Sequence, residues 1–297
     1  MRIGVVGTSY WTENVHGKSA AGSPDWELTT VYGRDAEKAA AMASKLGCSA
    51  TTDFDELLAA VDAVAFAVPP DVQAPLALRA ATAGKHLLLE KPLALDRDQG
   101  AELVQAIATA GVANLVFFTL LWIPSTSTWL DATRDRGGWE SGRFEQLVHL
   151  PSAFLDASPW RAEHGALWDV GPHALSALER VLGPVRAVSA VRGVRDQVDL
   201  VLRHEGDCTS SATLTLMAPE GVRRVGFRFV GTSGEAVPDA EVTTFTPDVA
   251  SAAALAELAD QARTGRRAGP DAAYALHVVD VLDAAQRSAA SGTAEDV

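Results

Sequence analysis

The chain has 297 residues, enough for two domains with buried cores, and its 25 Lys and Arg against 38 Asp and Glu give a net charge of −13. Because this acidic balance includes no basic block, it argues against nucleic acid or an anionic membrane surface as a partner. The longest apolar stretch, 112–123, is too short to span a bilayer. The two cysteines, Cys48 and Cys208, show neither a CxxC spacing nor a histidine cluster, so we expect a cytoplasmic protein without a metal site.

Residues 1–120 alternate short apolar runs with amphipathic stretches, the pattern of βαβ units that build a parallel sheet. The predicted strands are 2–6, 28–32, 48–51, 63–68, 86–90 and 115–119. Helices are predicted between them: an alanine-rich helix between Asp35 and Gly47, a helix that begins at Asp53 with Glu56 as a capping box, and helices over 71–84 and 96–111. With right-handed crossovers, this half is an α/β Rossmann fold, a doubly wound parallel sheet.

After Pro124 the pattern becomes that of an α+β domain on a mainly antiparallel sheet. The predicted elements are a helix over 127–136, a strand over 144–150, a loop containing Trp160, a helix over 167–182, an antiparallel meander of strands 185–194, 198–204, 208–217 and 223–230, and helices over 248–264 and 271–290. We therefore expect two domains, a doubly wound α/β domain at 1–120 and an α+β domain at 121–297. The last helix is a candidate to pack back on the first domain.

The first strand runs into a turn where a dinucleotide-binding fold places its glycine-rich loop and the amino end of a helix. Free N–H groups at such a helix end can bind a pyrophosphate. Only Gly7 fits the G-x-G-x-x-G pattern, because Ser9 and Thr12 replace the second and third glycines. A turn without any nucleotide is an equally good interpretation of this segment alone. The predicted cofactor contacts here are Gly7, Thr8, Ser9, Tyr10 and Trp11.

Two further motifs point the same way. The Glu-Lys-Pro segment 90–92 stands at the carboxyl end of the fifth predicted strand, the edge of an open α/β sheet where ligands bind. Asp169 and His173 are four residues apart, hence on one face of one helix. Together with Gly7 and the Gly-Lys-His segment 84–86, these motifs resemble the glucose–fructose oxidoreductase, inositol dehydrogenase and MocA (Gfo/Idh/MocA) family. The resemblance covers nearly the whole chain.

This resemblance implies hydride transfer between NAD(P) and a secondary alcohol or ketone of a sugar, cyclitol or similar small molecule. Lys91 matches the lysine that contacts the reacting oxygen, and Pro92 matches a proline often preceded by a cis peptide. Asp169 and His173 match the pair that flanks the substrate, with His173 exchanging the proton, a task for which the pKa of histidine is suited near neutrality. The resemblance also implies that 1–120 is a Rossmann dinucleotide-binding domain and that 121–297 is a substrate-binding and oligomerisation domain. It implies dimers or tetramers paired through the open face of the antiparallel sheet.

The residues after the second predicted strand bear on the choice of cofactor. A carboxylate there would bind the ribose 2′-hydroxyl of NAD, whereas Gly33 and Arg34 offer room and a cation for a 2′-phosphate. We therefore predict NADP, with NAD as the alternative. In the plainer interpretation, Arg34 is a solvated turn residue and Asp35 is a helix cap. The remaining predicted cofactor contacts are Val68, Pro69, Glu90 and Lys91.

The chain also departs from the family pattern. The segment 119–124 replaces an asparagine–arginine segment, and Gln73 stands where many members have histidine. Two other functions therefore stay open: a non-catalytic sensor or scaffold that binds NAD(P) or a metabolite, and a glycosidase that uses NAD for transient oxidation. Taken alone, Lys91 can be interpreted as a surface lysine, and His173 can be interpreted as a hydrogen-bonded core histidine. The joint spacing of Lys91, Asp169 and His173 favours catalysis.

Overall fold

The computed structural model describes residues 1–151 and 158–297. By its internal contacts the chain forms two compact units, Met1–Pro124 with Thr246–Leu276 and Ser125–Phe245 with His277–Val297. This division differs from the single boundary expected after residue 120, because a helix near the end of the chain buries its alanines and leucines against the core of the first unit.

The first unit is built on a sheet of six parallel strands. These are β1 (Arg2–Val6), β2 (Glu27–Tyr32), β3 (Ser49–Thr51), β4 (Ala63–Phe66), β5 (His86–Leu89) and β6 (Asn114–Val116), in the order β3-β2-β1-β4-β5-β6. All six predicted strands are present, and β4 and β6 are shorter than predicted. Strand β4 is fully buried, which accounts for its continuous apolar sequence, and the three residues of β6 are buried as well.

Helices cover this sheet. They are α1 (Lys18–Ala21), preceded by a π-helical turn over Thr12–Gly17, α2 (Ala36–Leu46), α3 (Phe54–Ala60), α4 (Pro70–Thr82), α5 (Arg97–Ala110), α6 (Thr119–Trp122) and, from the end of the chain, α9 (Pro247–Thr264). Of the two hydrogen bonds expected for the predicted capping box of α3, the one to the Asp53 side chain is present and the direct one from the Asp53 N–H to Glu56 is not. Asp53 accepts hydrogen bonds from the N–H groups of Asp55 and Glu56, but the Asp53 N–H donates to the Thr51 hydroxyl, which in turn donates to the Glu56 carboxylate.

The second unit is built on a seven-stranded, mainly antiparallel sheet. Its strands are β7 (Trp139–Leu147), β8 (Val185–Arg192), β9 (Val198–His204), β10 (Thr209–Thr215), β11 (Arg224–Gly231), β12 (Gly234–Ala236) and β13 (Glu295–Asp296), in the order β12-β11-β7-β10-β9-β8-β13. The predicted meander is correct for β8, β9 and β10 and wrong for β11. Strand β7 lies between β10 and β11, parallel to β10, and this pairing places Phe144 of β7 opposite Phe227 of β11.

Three long helices lie wholly or mostly in the second unit: α7 (Pro124–Arg136), α8 (Pro159–Leu182) and α10 (Ala272–Ser291). The predicted loop before residue 167 falls partly on 152–157, which lie outside the described residues, and from Pro159 onward the chain is helical. Helix α8 is broken at Gly165, whose φ of 64° and ψ of −161° are not helical. In 1–151 and 158–297, no helix has the length and apolar character needed to cross a membrane.

Two histidines of the second unit have pKa values shifted in opposite directions. The buried Glu179 of α8 accepts a hydrogen bond from His277 of α10 at 2.7 Å, and this bond raises the pKa of His277. Burial lowers the pKa of His204, which pairs with the Gly183 carbonyl and the Ser210 hydroxyl. The stability of this unit should therefore depend on the protonation of both imidazoles.

We expect His277→Leu to destabilise the protein more at pH 5.5 than at pH 8.5. Because the folded-state pKa of His277 is raised, its pairing with Glu179 stabilises fully below the unfolded pKa and is lost as pH rises through the folded value. Because the His277 side chain is partly exposed and solvent weakens the pair, we expect the substitution to lower the free energy of unfolding at pH 5.5 by about 1 kcal/mol. Urea unfolding at the two pH values, with the exposed His149→Leu as control, measures it. An equal loss at both pH values would contradict the prediction.

Candidate active site

The turn after β1 has room only for glycine at its first position. Gly7 has a φ of 129°, and a Cβ there would lie 2.6 Å from the Ala67 carbonyl oxygen and 2.8 Å from the Thr12 hydroxyl oxygen. The Gly7 N–H donates to the Tyr32 carbonyl at 2.9 Å, which ties the turn to β2. Gly7 therefore holds the close backbone approach that a phosphate-binding turn needs.

The two residues that replace glycines are accommodated without filling this turn. Thr12 is fully buried beneath the turn, and its hydroxyl oxygen accepts the Ser9 N–H at 3.3 Å. The Ser9 hydroxyl donates to the Ala67 carbonyl at 3.5 Å, and the Tyr10 side chain is 73% exposed. The turn and the amino end of the helix after it therefore fit a dinucleotide pyrophosphate, although the Ser9 N–H is already engaged.

The end of β2 lies against the same turn. A Cβ on Gly33 would lie 2.7 Å from the Thr8 methyl carbon, so these two predicted contacts are neighbours. Arg34 follows with an exposed side chain. The Asp35 carboxylate caps α2 by accepting the N–H groups of Glu37 and Lys38 at 3.0 and 3.1 Å. The Asp35 carboxylate is therefore occupied as a helix cap, whereas the neighbouring Arg34 side chain is exposed beside the turn.

The predicted contacts of the neighbouring strands share one edge of the sheet. Val68 and Pro69 follow β4, and Lys91 follows β5. Because β1, β4 and β5 are adjacent and parallel, their carboxyl ends bring the Gly7 turn, Val68 and Lys91 to the same side. The peptide bond between Lys91 and Pro92 is cis, which confirms the expectation from the family resemblance.

Gln73 of α4 holds the backbone around Lys91, a role that the sequence did not reveal. Gln73 is fully buried. Its side-chain oxygen accepts the Glu90 N–H at 2.7 Å, and its amide nitrogen donates to the carbonyls of Glu90 at 2.8 Å and Leu93 at 3.2 Å. The residue that the sequence marked only as a departure therefore satisfies two backbone groups of Glu90 and one of Leu93, on the two sides of Lys91 and Pro92.

In the second unit, Asp169 and His173 lie on one face of α8, as predicted. Asp169 is 9% exposed, and its carboxylate accepts a hydrogen bond from the Arg161 Nε at 3.0 Å. Eight residues of straight helix would separate Arg161 from Asp169 by about 12 Å. The break at Gly165 makes this ion pair feasible by folding the first turns back. Arg161 is a candidate site residue that sequence reasoning missed, since its contact depends on that break.

The glycine inside the Asp-x-Gly-x-His motif lies where α8 packs closely against α10. A Cβ on Gly171 would lie 2.6 Å from a methyl carbon of Leu282 on α10. Gly171 faces away from Asp169 and His173, because a residue two positions along a helix points to the opposite side. Trp168 also links the two helices, through its indole N–H and the Gln286 side-chain oxygen at 3.0 Å. The motif thus combines a packing face with a polar face.

The predicted site residues are distributed over both units. The first unit brings together the turn, Gly33, Val68 and Lys91, and the second brings together Asp169 and His173. Across the described ranges, 1–151 and 158–297, no group of three or more His, Cys, Asp or Glu side chains is placed to hold a metal ion.

The fold and these positions define the class of protein. A parallel sheet in the order β3-β2-β1-β4-β5-β6, with a glycine turn after β1, is a Rossmann unit, and it is joined to a mainly antiparallel unit. Residues 1–118 match the family model for an oxidoreductase family with an NAD-binding Rossmann fold, and residues 140–237 match that for the GFO/IDH/MocA C-terminal domain. The chain belongs to the Gfo/Idh/MocA family of oxidoreductases.

Relatives with assigned activities cover the whole chain. A dTDP-3,4-didehydro-2,6-dideoxy-alpha-D-glucose 3-reductase from Streptomyces violaceoruber is 29% identical over 328 residues, covering 97% of this chain and 95% of the relative. D-xylose 1-dehydrogenase (NADP(+)) 2 from Haloferax volcanii is 26% identical over 338 residues and covers 100% of each chain. The crystal structure of GenD2 from gentamicin A biosynthesis in complex with NAD has a TM-score of 0.87 at 24% identity, covering 100% of this chain and 96% of its own. That structure has the same fold.

Proposed function

We propose that this oxidoreductase transfers a hydride between NADP and a secondary alcohol or ketone of a sugar, cyclitol or similar polyhydroxylated molecule. The observation that carries the proposal is the position of Lys91 on the sheet edge that also holds the Gly7 turn. A reductase of a dTDP-linked hexose and an NADP-dependent xylose dehydrogenase among the relatives support this substrate class.

Each site residue has a defined task in this proposal. The bound nicotinamide supplies or accepts the hydride. The N–H groups at the amino end of the first helix bind the pyrophosphate, and the Lys91 ammonium stabilises negative charge that builds on the reacting oxygen. His173 takes the proton from the substrate hydroxyl or returns it. Asp169, fixed by Arg161, accepts a hydrogen bond from His173 or from a neighbouring hydroxyl.

Titration of the purified protein with NADPH and NADH, followed by a screen of sugars and cyclitols, tests the proposed function. Micromolar binding of NADPH and turnover of one such alcohol or ketone support it. Binding without turnover of any of them favours a sensor or scaffold, and a retained NAD that does not exchange favours a glycosidase. Failure of both nucleotides to bind would exclude the proposed reaction.

Arg34 is expected to set the preference for NADP. Arg34→Ala should raise the Kd for NADPH about 10-fold and leave the Kd for NADH nearly unchanged, because one charge-assisted contact with the 2′-phosphate is lost. Nicotinamide fluorescence titrations measure both constants. The control is Arg79→Ala, an exposed arginine of the same unit that pairs with Asp55 on α3. Equal affinity of the unmodified protein for both nucleotides would overturn this assignment.

We also propose that the protein assembles as a homodimer or homotetramer in the cytoplasm, through the open face of the seven-stranded sheet. Val201 of β9 and Val230 of β11 are 59% and 43% exposed and line one shallow pocket with Arg143 and Arg228. Val201→Glu is expected to shift the sedimentation of the protein toward the monomer, since burial of a carboxylate opposes association. A mass unchanged by this substitution would place the interface elsewhere.

A further inference from the structure

The Glu90 carboxylate is held by more partners than a surface acid at a strand end would need. Glu90 directly precedes Lys91, and its side chain is 12% exposed. One carboxylate oxygen accepts hydrogen bonds from the indole N–H of Trp11 and from Nε2 of His16, at 2.9 Å for the latter. The other oxygen accepts the Lys91 backbone N–H at 3.2 Å. These contacts place an oriented negative charge beside the lysine of the candidate site.

His16 connects this carboxylate to the interior of the first unit. Its side chain is fully buried, and its ring packs edge-on against Phe117 with centroids 4.8 Å apart. The second ring nitrogen, Nδ1, is 2.9 Å from the hydroxyl of the buried Ser251 on α9. Since an ionised carboxylate only accepts hydrogen bonds, Nε2 carries a hydrogen and Nδ1 pairs with Ser251. Ser251 therefore fixes the orientation of the imidazole.

The π-helical turn explains why Trp11 and His16 reach the same oxygen. Five residues along an α-helix, two side chains are about 140° apart around the axis. The π turn over Thr12–Gly17 has i→i+5 hydrogen bonding, which brings the fifth residue back over the first. The extra residue in this turn thus converts Trp11 and His16 into two donors aimed at Glu90.

We propose that His16, oriented by Ser251, is a positioning residue for Lys91. It acts through Glu90: together with Trp11 it fixes the Glu90 carboxylate, and Glu90 in turn fixes the backbone and the charge surroundings of Lys91. Gln73 holds the backbone of Glu90 from the other side, so the residue before Lys91 is restrained at its N–H, its carbonyl and both carboxylate oxygens. The effect on turnover rests on the proposed function, whereas the effect on Lys91 itself rests on this geometry.

Two variants of His16 test whether its hydrogen bond to Glu90 matters or whether the side chain only fills space in the core. In His16→Leu the Glu90 carboxylate loses a donor, whereas in His16→Gln an amide N–H remains available to it. We expect kcat to fall about 10-fold in His16→Leu with the NADPH Kd changed less than about 3-fold, and His16→Gln to recover most of kcat. Ser251→Ala is a smaller change that should also lower kcat. It replaces His16→Leu in the test if His16→Leu does not fold.

The matched control is Trp26→Phe. The indole N–H of the buried Trp26 donates to the Leu255 carbonyl of α9 at 2.8 Å, and this hydrogen bond does not involve Glu90. Trp26→Phe therefore removes one buried hydrogen bond to the same helix without touching the carboxylate. It should lower the melting temperature while leaving kcat and the NADPH Kd unchanged.

A spectroscopic readout on the protein without cofactor makes the test independent of turnover. The chain has five lysines, Lys18, Lys38, Lys45, Lys85 and Lys91, so labelling with [ε-13C]lysine gives a spectrum in which Lys91→Arg identifies one resonance. The Lys91 resonance should move in His16→Leu and Ser251→Ala and stay near its original position in His16→Gln and Trp26→Phe. If it moves and no alcohol is oxidised, the geometry stands and the proposed function fails. An unmoved Lys91 resonance in folded His16→Leu overturns the inference.

Discussion

His173→Ala is expected to lower kcat by about 100- to 1000-fold, the contribution typical of a positioned general acid or base. His173 lies on the polar face of α8 with Asp169, and in the proposed reaction it exchanges the proton of the substrate hydroxyl. Because the turn after β1, where we propose that the pyrophosphate binds, belongs to the first unit, the Kd for NADPH should stay within about 2-fold of that of the unmodified protein. Steady-state kinetics and nucleotide titration of the same preparation measure the two effects.

A histidine elsewhere in the second unit provides the control for this substitution. His149 is exposed, and its Nδ1 lies 2.9 Å from the Ala218 carbonyl oxygen. His149→Ala should retain kcat within about 2-fold, since an exposed histidine with no assigned role in the proposed reaction is removed. Full turnover in His173→Ala would remove this residue from the reaction and leave Lys91 as the remaining candidate acid or base.

Gly7→Ala is expected to weaken NADPH binding by about 100-fold or more and to destabilise the protein by about 2–4 kcal/mol. The added Cβ would lie 2.6 Å from a backbone carbonyl oxygen, at a φ of 129° that L-residues rarely adopt. Relief of this clash must move the turn away from β4 and misdirect its N–H groups. Nucleotide titration and urea unfolding measure the loss of affinity and of stability separately.

The control for Gly7 is another glycine with positive φ that has free space around it. Gly47 ends α2 with a φ of 72°, and a Cβ there would meet nothing within 4 Å. Gly47→Ala should therefore destabilise by about 1 kcal/mol, the backbone cost alone, with no change in the NADPH Kd. If Gly7→Ala binds NADPH as tightly as Gly47→Ala does, the turn after β1 is not the pyrophosphate site.

Local signals in the sequence were sufficient for most of the first unit. The buried parallel strands read as short continuous apolar runs, and Asp35 and Gly47 marked the two ends of α2, which they do cap. The spacing of Asp169 and His173 likewise placed both side chains on one helix face. These features depend on residues a few positions apart, so periodicity and capping preferences reveal them.

Other features depend on which distant segments meet. Nothing in β7 or β11 shows that β7 inserts between β10 and β11, since either strand presents the same alternation to any neighbour. The sequence also did not show which segment returns to the first unit: the last helix was the candidate, whereas 246–276, with α9, belong to that unit. The Arg161–Asp169 ion pair required the break at Gly165, which a helical pattern does not reveal.

The sequence by itself determined the family, the Rossmann half, the turn at Gly7 and the positions of Lys91, Asp169 and His173. Only the tertiary structure decided what holds Lys91 in place. His16 reaches Glu90 across 74 positions and Ser251 across 235, and Gln73 reaches Glu90 across 17. Contacts of this kind arise when buried polar groups must find partners in the folded chain, and their partners are set by packing rather than by local spacing.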